Sequence, residues 1–121
     1  MHELAIASSI LDIVRQYVPG SDAARVRAVR VRVGDLAGVV PGSLEFCFGA
    51  IVAGTPYADA FLAIDEVPAL ATCGDCGCLT RLARPPFECP ACGSLGMAFQ
   101  SGDELQVVDV DLDDDAVEMA S

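Results

Sequence analysis

Four cysteines form the pattern with the clearest chemistry in this chain. They make two Cys-x-x-Cys-Gly knuckles, at residues 73–77 and 89–93. Two residues between the thiols allow a tight turn that points both sulfurs at one position, and the glycine that follows can take a positive φ without steric cost. Four thiolates are the soft tetrahedral set that zinc prefers. The spacing predicts a structural metal site with the ligands Cys73, Cys76, Cys89 and Cys92. The alternative is two disulfides.

The two other cysteines are interpreted differently. Cys78 forms a Cys-x-Cys pair with Cys76, but Gly77 directly follows Cys76 and favours Cys76 as the ligand. Cys78 is then a spare surface thiol, with exchange into the metal site as the alternative. Cys47 lies in an apolar helical stripe, where a free cysteine behaves as a small hydrophobic residue. We therefore predict that Cys47 belongs to the core.

The amino terminus, Met1-His2-Glu3, could also bind a metal ion. His2 is the only histidine, and a bulky second residue should preserve Met1 and its free α-amine. An α-amine has an ordinary pKa of about 7.7–8.0, so it can lose its proton to a metal near neutral pH. The amine, the His2 amide and the His2 imidazole could chelate one ion, with Glu3 as a further donor. Such nitrogen donors suit Ni(II) or Cu(II). On the residues alone, a surface histidine without a metal role is the default interpretation.

Composition and charge exclude several functions. The formal net charge is −11, and all seven basic residues are arginines. The absence of lysine excludes a Walker A site, a Schiff-base site and a pyridoxal site. The acidic charge argues against nucleic acid, whose binding depends mainly on neutralising phosphates. With one histidine and no Gly-rich nucleotide motif, we predict no enzymatic activity.

The sequence also predicts a cytoplasmic protein that does not contact a membrane. Residues 1–14 lack the basic region of a signal peptide. No apolar run reaches the about 18–20 residues that a membrane span requires. In the cytoplasm, paired cysteines usually bind metal or do redox chemistry and seldom form structural disulfides.

Hydrophobic periodicity predicts the elements that position these residues. Apolar residues recur at the helical interval over residues 4–18, and a second helix is expected from about Pro41 to Gly54. Residues 25–34, 61–67 and 105–112 are predicted strands. In the second of these, Leu62 and Ile64 are expected to face inward and Asp65 outward, and in the last, Val108, Val110 and Leu112 alternate with Asp109 and Asp111.

Four arginines make one side of the first predicted strand basic. Arg30 and Arg32 alternate with valines, and Arg25 and Arg27 precede them. The simpler interpretation is a solvated face that is balanced by acidic neighbours, such as Asp109 and Asp111 in the third strand. The alternative is a docking stripe for an acidic partner.

Together these elements predict an α+β fold, a small three-stranded sheet covered by two helices, with an inserted zinc-ribbon-like lobe. We expect residues 1–69 and 100–121 to form the first domain and residues 70–99 the zinc-binding domain. Linkers are expected near residues 68–72 and 97–103. The lobe is too small for a core of its own, so metal must hold it together. The acidic tail that begins at Asp113 is predicted to be disordered.

Several of these segments together resemble one protein family, the HypA/HybF nickel chaperones of hydrogenase maturation. The resemblance covers residues 1 to about 112. It is carried by the initial Met1-His2-Glu3-Leu4, by residues 33–41 with Leu44-Glu45-Phe46 after them, by Glu66-Val67-Pro68-Ala69 before the cysteine pairs, and by Gly102-Asp103-Glu104-Leu105. Cys78 is a departure from the pattern.

The resemblance implies a nickel site at Met1, His2 and Glu3, and a structural zinc ion held by the four knuckle cysteines. It implies delivery of Ni(II) to the large-subunit precursor of [NiFe]-hydrogenase together with a HypB-type GTPase. Urease maturation proteins and a second copy of the chain are further candidate partners. An exposed, incomplete nickel site would let an acceptor take over the ligands, and acid should release the metal.

Two other classes of function remain open at this stage. A rubredoxin-like electron carrier would bind iron at the same four cysteines and would be red, whereas a zinc protein is colourless. A zinc-ribbon interaction module would have no nickel role, and replacing His2 with alanine would leave its function unchanged.

Overall fold

The structure is a computed structural model that describes residues 2–113. Two α-helices, one 3₁₀ helix and six strands make up this part of the chain, which confirms the predicted α+β class. In order they are α1 (His2–Tyr17), the 3₁₀ helix (Gly20–Arg25), β1 (Val26–Gly34), α2 (Pro41–Val52), β2 (Phe61–Val67), β3 (Leu70–Cys73), β4 (Leu79–Arg81), β5 (Met97–Phe99) and β6 (Leu105–Leu112). Met1 and the acidic tail after Asp113 lie outside the described residues.

The helix α1 forms where the apolar periodicity predicted it. Ala7, Ile10, Leu11 and Val14 are buried on one face, and Glu3 in the first turn suits the positive end of the helix dipole. The helix ends at Tyr17, two residues before Pro19. Leu4 lies in the first turn and remains 52% exposed.

The helix α2 packs against α1 and begins at Pro41, as predicted. Proline suits this position because the first amides of a helix have no intrahelical acceptor. Leu44, Phe48 and Val52 are buried. The prediction for Cys47 was only partly right, since its side chain is half-buried. Cys47 lies beside the row of buried residues on α2, Leu44, Phe48 and Val52, and not within that row.

The first sheet has the strand order β2-β1-β6, so the predicted three-stranded sheet is confirmed. The central strand β1 buries its valines while its arginines remain partly exposed. On the edge strand β6, the Val108 side chain is 47% exposed. Val110 and Leu112 are half-buried.

The second sheet is also three-stranded, with the order β4-β3-β5 and antiparallel pairing throughout. Thr72 lies opposite Leu79 on one side and Ala98 on the other. The expected linkers near residues 68–72 and 97–103 are therefore wrong in part. They contain β3 and β5, which are too short for their periodicity to be visible in the sequence.

The chain divides into two compact units. One contains residues 2–31, 39–65 and 106–113, and the other contains residues 32–38 and 66–105. Within the second unit, the Asp35 carboxylate accepts hydrogen bonds from Arg81 Nε at 2.8 Å and from the Ala69 amide at 2.9 Å. Leu36 N–H also donates to the Gly102 carbonyl at 2.6 Å. Between residues 2 and 113, neither helix is long and apolar enough to cross a membrane.

Candidate metal centres

The two knuckles have matching backbone geometry. Gly77 has a φ of +76° and Gly93 a φ of +77°, the left-handed conformation that glycine adopts without strain. The Gly77 N–H donates to the Cys73 carbonyl at 2.9 Å, and the Gly93 N–H donates to the Cys89 carbonyl at 2.7 Å. These bonds close each turn and hold two sulfurs on one side of it. The role predicted for the glycines is confirmed.

The four knuckle sulfurs converge. They lie within 4.8 Å of one another, with Cys73 Sγ 3.6 Å from Cys92 Sγ and Cys76 Sγ 3.5 Å from Cys89 Sγ. A tetrahedral zinc ion with bonds of about 2.3 Å places its sulfur ligands about 3.8 Å apart. A disulfide requires about 2.05 Å, and all four cysteines are free thiols. The distances fit a tetrahedral metal and do not fit the alternative of two disulfides.

The local electrostatics favour a thiolate at Cys73. The amides of Cys76 and Asp75 both point at its sulfur at 3.4 Å, and they lower its pKa to about 6. The Cys78 amide lowers the pKa of Cys76, but the neighbouring sulfurs, Cys89 first, raise it to about 12 overall. A divalent ion that binds here must therefore displace protons, which makes its affinity fall in acid.

Further hydrogen bonds connect the knuckles to each other. Ser94 Oγ donates to the Asp75 carboxylate, and the Gly74 N–H donates to the Gly96 carbonyl at 2.9 Å.

The Cys78 carbonyl accepts from the Cys73 N–H at 2.9 Å. The Cys78 sulfur is half-buried and is not part of the four-sulfur group. The structure thus separates Cys78 from the four predicted ligands.

The amino-terminal site is described only in part, because Met1 lies outside the described residues. His2 begins α1, and both of its imidazole nitrogens are shielded from water and have no hydrogen-bond partner among residues 2–113. The Glu3 carboxylate accepts from the Val40 N–H at 3.3 Å. Within residues 2–113, the knuckle cysteines are the only group of three or more His, Cys, Asp or Glu side chains that could hold a metal. The nickel site at Met1, His2 and Glu3 therefore stays a prediction.

The basic face of β1 is balanced by acidic residues, as the simpler interpretation predicted. Arg30 contacts Asp109 at 3.1 Å and Asp111 at 3.2 Å. Arg27 contacts Asp113 at 2.8 Å. These arginines are engaged within the chain, which argues against the docking stripe for an acidic partner.

Sequence reasoning missed a cleft between the first turns of α1 and α2. Its volume is about 390 Å³, and we call it the amino-terminal cleft. It is lined by Glu3, Leu4, Gly42, Ser43, Phe46 and Cys47. The signal in the sequence was Phe46, a large apolar residue two positions after the buried Leu44 and therefore on the outer side of its helix.

Comparison with known proteins identifies one family throughout. The family model described as HypA, hydrogenase/urease nickel incorporation, metallochaperone, matches residues 1–112. The hydrogenase maturation factor HypA of Streptomyces avermitilis is 43% identical over an alignment of 116 positions, which covers 94% of this chain and 88% of that protein. The Geobacter sulfurreducens protein of the same name is 38% identical over 113 residues, which are 93% of this chain and all of that protein.

Solved structures agree on the fold. The solution structure of the Ni metallochaperone HypA from Helicobacter pylori has a TM-score of 0.59 at 19% identity and covers 93% of this chain and 98% of its own. A second solution structure of a HypA protein has a TM-score of 0.61 at 20% identity and covers 93% and 96%. At these identities the likeness concerns the fold alone.

Proposed function

The chain belongs to the HypA family of hydrogenase and urease nickel-incorporation metallochaperones, and on this premise we propose that it binds Ni(II) at its amino terminus and delivers it for the maturation of [NiFe]-hydrogenase. The proposed nickel ligands are the Met1 amine, His2 and Glu3. The nickel ion is the cargo of this protein and not a resident cofactor.

The observation that carries this proposal is the state of His2. A shielded imidazole nitrogen without a hydrogen-bond partner has lost its interaction with water and gained nothing in return. Within the part of the chain that the structure describes, both nitrogens are in this condition, and the residue directly follows Met1, whose amine is a proposed ligand. A metal ion would supply the missing interaction. Because the amine and the imidazole must give up protons to bind nickel, affinity should fall as the pH falls.

The resident metal is proposed to be zinc, held by Cys73, Cys76, Cys89 and Cys92. The sulfur separations support four ligands around one ion, and a closed thiolate shell leaves no open position for chemistry. Zinc would therefore stabilise the cysteine-rich unit. Iron would suit the same sulfurs, so metal analysis of the purified protein decides this point. A red protein containing iron would favour the electron carrier.

The proposed partners follow from what this chain lacks. It has no lysine and no Gly-rich phosphate-binding motif, so nucleotide hydrolysis during nickel delivery would belong to a HypB-type GTPase. The acceptor would be the large-subunit precursor of [NiFe]-hydrogenase. The family description also includes urease, and a urease maturation protein is the second candidate acceptor.

The proposal is tested by calorimetric titration of nickel into the zinc-loaded protein and into a His2→Ala variant. We expect about one nickel ion per wild-type chain and a loss of affinity of at least about tenfold in the variant. Tyr17→Ala, at the exposed opposite end of α1, is the matched control and should bind nickel like the wild type. Equal binding by wild type and His2→Ala would show that nickel sits elsewhere.

A second variant tests the terminal amine separately. An extension of four glycine and serine residues before Met1 should also weaken nickel binding, because it moves the amine away from His2. A one-residue extension is unsuitable, since it would place the histidine third and create a different nickel chelate. Retention of wild-type affinity by the longer extension would remove the amine from the ligand set.

A further inference from the structure

The amino-terminal cleft is surrounded by large apolar side chains that face solvent. Phe46 is 78% exposed, Val40 is 59% exposed and Leu4 is 52% exposed. Leu4 and Phe46 line the cleft, and the Val40 N–H contacts Glu3, another lining residue, at 3.3 Å. Single exposed apolar residues are common on protein surfaces, but a group around a concave site marks a binding surface.

The shape of this site favours a protein partner over a small molecule. Small-molecule sites usually enclose most of the ligand between apolar walls. Here the largest apolar group, the Phe46 ring, stands at the rim and is mostly in contact with water. A rim of this kind becomes buried when another protein inserts a side chain between Leu4 and Phe46.

The charges around the cleft select the partner. Glu3 lines the cleft, and Glu45 is exposed immediately before Phe46. No lysine or arginine occurs between Arg32 and Arg81, and the first basic residue of α1 is Arg15, three turns beyond Leu4. The surface is therefore apolar with an acidic border, in a chain whose net charge is −11. Its complement is apolar and basic.

The cleft is also continuous with the proposed nickel site, because Glu3 belongs to both. We propose that the amino-terminal cleft docks a segment of a nickel-delivery partner in which a large apolar side chain is flanked by lysine or arginine. This inference rests on the proposed function. Docking here brings the partner against the residue next to His2, so that ligands can be exchanged while the nickel ion remains shielded.

The test measures partner binding to the zinc-loaded full chain with surface variants. The probes are the purified HypB-type GTPase and the purified hydrogenase large-subunit precursor from the same organism. Phe46→Ser removes the apolar rim, and Glu45→Lys reverses the acidic border. Tyr17→Ser is the matched control, because Tyr17 is also 78% exposed on a helix of the same unit but lies outside the cleft.

We expect Phe46→Ser to weaken binding of one of the two probes at least about tenfold, as truncation of a central aromatic residue commonly does. Glu45→Lys should weaken the same complex and reduce its dependence on salt. Tyr17→Ser should bind like the wild type. Wild-type affinity in Phe46→Ser, or a wild-type chain that binds neither probe, overturns the proposal.

Two further measurements separate partner docking from nickel binding and from self-association of the chain. Nickel titration of Phe46→Ser should match the wild type, so loss of partner affinity without loss of nickel supports docking independently of the metal site. A wild type that binds no nickel, but whose partner affinity still depends on Phe46, would refute the proposed function and retain the docking site. If Phe46→Ser instead converts a dimer to a monomer in sedimentation, the occupant is a second copy and the proposal is overturned.

Discussion

At the scale of single residues, Gly77 and Gly93 set the direction of the four sulfurs. A Cβ atom at either position would meet no heavy atom within 4 Å, so space does not explain the glycine. The positive φ of both residues explains why glycine is needed. We expect Gly77→Ala or Gly93→Ala to lower the free energy of unfolding by about 1–2 kcal/mol. Each variant should also lose zinc to a coloured chelator faster than the wild type does.

Gly49→Ala is the control for these variants. Gly49 lies within α2 and has an ordinary φ, and a Cβ atom added there would also meet no heavy atom within 4 Å. Alanine should be neutral there or stabilise the helix by up to about 1 kcal/mol, without changing the rate of zinc loss. Equal zinc retention in Gly77→Ala and wild type would contradict the role assigned to the turn.

The sequence predicted the residues whose role depends on near neighbours. The knuckle cysteines and their glycines fall in this class, because each turn is closed by bonds within five residues. It did not predict the half-buried state of Cys47 or the shielded nitrogens of His2. Those depend on how side chains distant in the sequence surround them.

At the scale of elements, Asp35 connects the segment 32–38 to Ala69, directly before β3, and to Arg81 in β4. All three residues belong to the second unit. Its carboxylate contacts Arg81 Nε at 2.8 Å and the Ala69 amide at 2.9 Å, and its side chain is only 11% exposed. Arg81 first, and then the amide, lower the pKa of Asp35 below its ordinary value of 3.8. The ionised form is therefore favoured in the folded chain.

We expect Asp35→Asn to lower the melting temperature of the zinc-loaded protein by about 2–8 °C. A lowered pKa means that the stabilisation is complete above the unfolded value and is lost as the pH falls through the folded one. The difference between Asp35→Asn and wild type should therefore be constant from about pH 5.5 to 8, which calorimetric melting can check.

A pair of arginine variants provides the control for this contact. Arg81→Gln should destabilise in the same direction as Asp35→Asn, whereas Arg84→Gln, at an exposed position of the same unit, should melt like the wild type. A difference for Asp35→Asn that disappears between pH 6 and 8 would assign the effect to another titrating group.

The longer elements were predictable and the shorter ones were not. α1, α2, β1, β2 and β6 are long enough for several repeats of their period. The strands β3, β4 and β5 have three or four residues and are defined by pairing with one another. The position of residues 32–38 in the second unit likewise depends on bonds to residues more than 30 positions away.

At the scale of the whole molecule, the two units differ in what stabilises them. The first unit has an apolar core of its own that includes Val14, Leu44 and Phe48. In the second unit, residues 32–38 and 66–105, the buried hydrophobic residues are limited to Val33, Ala69, Ala71, Cys73 and Cys89. A core of this size is small for a unit that folds alone, and the proposed metal at the four cysteines would add to its stability.

Removal of the metal should therefore affect the two units differently. After chelation, we expect hydrogen exchange to accelerate at the amides of Cys73, Gly74 and Gln100, which are bonded across the second sheet and its knuckles. Amides in the middle of α1 should keep their protection and serve as the internal control. Equal acceleration in both regions would show that the first unit also requires the metal.

We propose that one chain holds two different metal ions in two different donor sets. X-ray absorption at the nickel and zinc edges of the doubly loaded protein tests it most directly. We predict nickel with nitrogen and oxygen ligands only, and zinc with four sulfur ligands at about 2.3 Å. Sulfur bound to nickel would contradict the proposed donor set of amine, imidazole and carboxylate, and fewer than four sulfurs around zinc would contradict the four-cysteine site.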